Sequence, residues 1–92
     1  MVIFSNKDLR QYSERFLCQL YHDANGIIKR PFNRYDIFRA LRLGGIGEEG
    51  VGQATDEIVQ LLSNQDFIRM SENSREIRLS NAGLAEAERI CK

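Results

Sequence analysis

Cys18 and His22 stand at i and i+4, a spacing that puts both side chains on one face of a helix and could supply two metal ligands. A structural zinc takes four, His22 is the only histidine, and no second pair is spaced to complete the set. Neither a metal nor a cofactor is therefore expected. Phosphate chemistry fares no better. Gly44-Gly45-Ile46-Gly47 is rich in glycine, but the Gly-Lys-Ser/Thr of a phosphate-cradling loop does not follow it. With one histidine and no tryptophan, no catalytic set presents itself, and the chain is not expected to be an enzyme.

Charge is the remaining chemistry. Thirteen Lys plus Arg balance thirteen Asp plus Glu, so the formal net charge is zero. A protein that grips nucleic acid through phosphates usually carries a basic surplus, so attraction here must come from uneven distribution. The distribution is uneven. Lys29, Arg30 and Arg34 lead into Tyr35, Arg39 and Arg42, which repeat at i, i+4 and i+7. Arg69, Arg75 and Arg78 gather further on. Between these groups, Glu48 to Asn64 holds four acids and no Lys or Arg, with Glu49, Gln53, Asp56, Glu57 and Gln60 as its outward helical positions. Such a face repels phosphates, although Gln53 and Gln60 could read adenine edges.

The elements that would position these residues follow from periodicity. Ser5-Asn6-Lys7-Asp8 is a variant capping box. Behind it, Leu9, Tyr12, Phe16, Leu17, Leu20 and Ala24 share one helical face, and Asn25-Gly26 is a left-handed stop. Ile27-Ile28 favours a short strand closed by Pro31. Asn33 caps a second helix with Ile37, Phe38 and Leu41 inward, ended by Gly44-Gly45. A third helix has a ragged glycine-rich start and is secure from Ala54, with Ala54, Ile58, Leu61 and Leu62 on one side. The period then changes to two: Ile68 and Met70 alternate with Arg69, and Ile77 and Leu79 with Arg78, about a polar turn. Ser80 caps a last helix with Leu84, Ala87 and Cys91 inward, flanked by Ile90.

Ninety-two residues fit one domain, 1–92, of α+β class and mainly α. The segment from Ile58 to Ile68 resembles a winged-helix recognition helix running into its first wing strand. Leu79-Ser80-Asn81-Ala82-Gly83 is similar to the Leu-Thr-x-x-Gly step out of the wing in many bacterial transcriptional regulators. The resemblance implies a winged helix-turn-helix: helix, short strand, helix, helix, β-hairpin wing, helix. It also implies a DNA-binding regulator, frequently a homodimer. Arg34, Tyr35, Arg39, Arg42, Gln53, Gln60, Arg75 and Arg78 would face duplex DNA. The alternative is a protein-interaction module whose acidic third helix meets a basic partner.

Cys18 and Cys91 lie 73 positions apart without CxxC spacing and read as thiols of a reducing compartment. Cys18 falls beside Tyr21 on the outward side of the first helix, which suggests a dimer contact there. Met1-Val2-Ile3-Phe4 is too short for a signal peptide or a membrane span, so the expected location is cytoplasmic, with no membrane partner.

Overall fold

The computed structural model describes residues 6–42, 48–72 and 75–91. Its elements are α1 (Asn6–Ala24), β1 (Phe32–Asn33), α2 (Arg34–Ala40), α3 (Glu48–Asn64), β2 (Ile68–Met70), β3 (Glu76–Leu79) and α4 (Asn81–Ile90). The protein is α+β and mainly helical, with one antiparallel sheet in the order β1-β3-β2.

Local signals set most boundaries. Asn25 and Gly26 take φ values of 53° and 78°. Their N–H groups donate to the His22 and Tyr21 carbonyls at 3.1 and 3.4 Å, which satisfies acceptors at the end of α1. Asn33 Oδ1 accepts from Tyr35 N–H at 2.9 Å and Asp36 N–H at 3.4 Å, capping α2. The turn after α3 keeps its geometry without glycine because Asp66 accepts φ 61°. Ser5, expected in the first cap, and Gly44-Gly45, expected as the stop of α2, lie outside the described residues.

Three local expectations are corrected. No strand forms at Ile27-Ile28; Ile27 is 53% exposed, and pairing starts at Phe32, opposite Ile77. Pro31 has no N–H for the ladder, so the strand begins only past it. The glycine-rich start belongs to the helix, as expected: α3 begins at Glu48. Leu61 does not share the buried side of α3 but is 39% exposed. At about 100° per residue it sits roughly a quarter-turn from the Ile58–Leu62 line. Met70, expected inward with Ile68, is 39% exposed at the end of β2.

Phe16, Leu20, Phe38, Ile58, Leu62, Ile68 and Leu79 are buried together, as the two periods require, while Leu41 is only half-buried at the edge of that cluster. Below it, α4 packs on α1, and this contact overturns the reading of the cysteines as thiols. Cys18 and Cys91 form a disulfide, their Cα atoms 5.7 Å apart. Spacing along the chain could not reveal the pair, because only the return of α4 brings its end to α1. Among the described residues, no helix is long and apolar enough to cross a membrane.

Candidate nucleic-acid interface

The start of α2, the middle of α3 and the β2–β3 hairpin meet at Arg34. This residue follows β1 directly, and its N–H donates to the Arg75 carbonyl at 3.1 Å, which ties α2 to the hairpin. Arg34 was expected on an exposed basic surface; it is buried instead. Its Nη1 donates to Asp56 Oδ1 at 3.2 Å, and its Nη2 lies 3.4 Å from the Met70 sulfur. Nε is buried with no hydrogen-bond partner among the described residues, as is Thr55 Oγ1. Tyr35 Oη donates to the same Asp56 oxygen at 3.1 Å. Both residues therefore serve first to hold Asp56, which α3 presents toward α2.

Electrostatics follow from that geometry. Burial pushes the Tyr35 phenol above its ordinary value. Its hydrogen bond to Asp56 acts the same way, since a phenolate there would face a carboxylate. Arg34 and Arg75 oppose the shift, which places the Arg75 charge within electrostatic reach of Tyr35.

The other basic residues follow α2. Arg39 is exposed, with Nη1 3.5 Å from Asp36 Oδ1. Arg42 is exposed too, but it lies past the end of the helix with φ 53°. Tyr35, Arg39 and Arg42 therefore do not form one helical stripe. The seven residues of α2 rise about 10 Å. Arg75, Arg39 and Arg42 are thus strung from its first turn to beyond its last. On the hairpin, Arg78 stands directly opposite Arg69, and both are exposed.

On α3 the expected acidic face is thinner than the sequence suggests. Asp56 is 58% exposed at its side chain but carries the Arg34 and Tyr35 contacts. Gln53 and Glu57 are half-buried, and exposed Gln60 donates to Asn64 Oδ1 at 3.0 Å. The Glu49 side chain lies outside the described residues. Glu57 and Gln60 also border a groove of about 730 Å³ between α1, α3 and α4, whose apolar lining includes Leu9, Leu17, Leu61 and Phe67.

The premise for a dimer contact at Cys18 and Tyr21 is gone, since Cys18 is disulfide-bonded and Tyr21 is half-buried against the core. The same bond withdraws Cys18 as a partner for His22 in metal binding. Sequence reasoning missed the role of Asp56 because its partners lie 21 and 22 positions away. The alternation of charges showed that acids and bases were present, not which would meet. The chain matches no family model, and no curated protein or solved structure matches it.

Proposed function

We propose that the chain is a winged-helix domain of a transcriptional regulator and that it binds duplex DNA. The element order and the β1-β3-β2 sheet support the fold reading, because they give two helices followed by a hairpin. One observation carries the functional reading: Arg34 and Tyr35 hold Asp56. With that carboxylate engaged, the outward line of α3 carries three amides, Gln53, Gln60 and Asn64, and the single acid Glu57 among the residues whose side chains are described. Amides pair with adenine edges in the major groove, and such contacts specify rather than supply affinity. Affinity comes from Arg39, Arg42 and Arg75 on flanking phosphates. In a helix-turn-helix the first of the paired helices crosses the backbone in this way.

A second reading rests on Leu61. Its exposure beside Glu57, at the mouth of the α1–α3–α4 groove, suits a protein partner with basic and apolar groups. Binding of randomised duplexes, followed by recovery of the preferred sequences, separates the two. On the DNA reading, Gln53→Ala changes which sequences are recovered, whereas Arg75→Ala weakens all of them alike. Recovery of no preferred sequence by the unaltered chain removes base reading by α3 and favours the protein-docking surface.

A further inference from the structure

α4 is fastened at two places by different means. At its start, Ser80 caps the helix by accepting from Gly83 N–H at 2.9 Å. Ser80 also donates through Oγ to the Asp66 carbonyl at 2.5 Å and through N–H to the Phe67 carbonyl at 3.1 Å. These bonds tie the helix to the turn between α3 and β2. At its end the covalent tie is Cys91, the C-cap residue, joined to Cys18 on α1. Non-covalent packing there comes from half-buried Ile90 and buried Ala87.

We propose that Cys18 and Cys91 form a thiol–disulfide exchange site whose oxidation fastens the last turn of α4 to α1 and whose reduction releases it. Three observations carry this. The Cα separation of 5.7 Å lies in the range that a disulfide spans without backbone movement. Both cysteines are half-buried rather than enclosed. Cys18 also borders a shallow hollow of about 370 Å³, together with Arg15 and His22, which leaves room for an attacking molecule. The oxidant is a low-molecular-weight disulfide, RSSR. One cysteine thiolate attacks it, breaking its S–S bond, forming a mixed disulfide and releasing RS⁻. The second cysteine attacks the protein sulfur of that intermediate and releases the other RS⁻. Two cysteine thiols are oxidised, one RSSR is reduced to two RSH, and both cysteine protons pass to the leaving thiolates. Because the Ser80 bonds are independent of the cysteines, reduction frees only the far end of the helix.

The test exposes the folded chain first to dithiothreitol and then to oxidised glutathione, with intact mass and amide hydrogen exchange read after each step. The expected result is loss of two hydrogens in mass with no lasting glutathione adduct. Exchange over residues 84–91 should then slow by about tenfold or more, and by more than at the Ser80 end of α4. Cys91→Ser should exchange at the reduced rate in both solutions. The proposal is overturned if the folded chain resists both reagents, if a mixed glutathione adduct persists, or if the two forms exchange alike over 84–91.

Discussion

Asp56 matters more to Arg34 than Arg34 does to Asp56, because the Arg34 side chain is 9% exposed and that of Asp56 is 58% exposed. Without Asp56, the buried guanidinium keeps only a thioether among the described residues, and uncompensated buried charge costs about 3–5 kcal/mol. Without Arg34, Asp56 turns to water, and a pair judged from that side contributes about 0–1 kcal/mol. Asp56→Ala should therefore lower the unfolding free energy by about 3 kcal/mol, and Arg34→Met by about 1 kcal/mol or less. Urea denaturation compares them, and equal losses would contradict the assignment. Tyr35 adds a pH dependence. Its pKa is raised in the fold above 10.0, so its contribution is complete below pH 10 and is lost as pH rises through the folded value. Tyr35→Phe should flatten the alkaline fall in stability measured between neutral pH and pH 11. An unchanged fall would show that other groups cause it. Neither contact could be read from the sequence, since each depends on α2 crossing α3.

The elements themselves were largely legible, for reasons visible at their ends. Asn25-Gly26, Asn33, Asp66 and Ser80 each combine a backbone angle or a cap that few residues supply. What failed was the position of β1 and the facing of Leu61 and Met70, which depend on where neighbouring elements stop rather than on period. Gly83 shows what lies behind one motif. A Cβ built there would overlap the Phe67 carbonyl, so α4 can approach the α3–β2 turn only with glycine at that place. Gly52 in α3 has open space around it. Gly83→Ala should therefore destabilise by about 3 kcal/mol. Gly52→Ala should stabilise by about 0.8 kcal/mol through helix propensity alone. Thermal unfolding of both variants checks the pair, and a neutral Gly83→Ala would mean that α4 does not dock as described. Leu62→Ala, in the buried core cluster, should cost about 2–5 kcal/mol.

For the whole molecule, the disulfide joins positions 73 apart and so restricts most of the unfolded chain. The chain-entropy relation gives about 4 kcal/mol for a closure of that length, which the oxidised and reduced forms should show as a difference in denaturant midpoint. Charge at this scale is balanced, with 13 basic and 13 acidic residues, and the sequence alone left the DNA and protein readings open. The structure changes the weighing by tying Asp56 to Arg34 and by stringing three arginines along α2. The most direct test is the affinity of the unaltered chain for a mixed-sequence duplex across a range of salt. Three phosphate contacts predict measurable binding at low ionic strength, with a slope of log affinity on log salt of about −3. The Arg39→Ala, Arg42→Ala double variant should reduce that slope to about −1, at about 0.9 per contact. No saturable binding at low salt, or a slope the double variant leaves unchanged, would contradict the account.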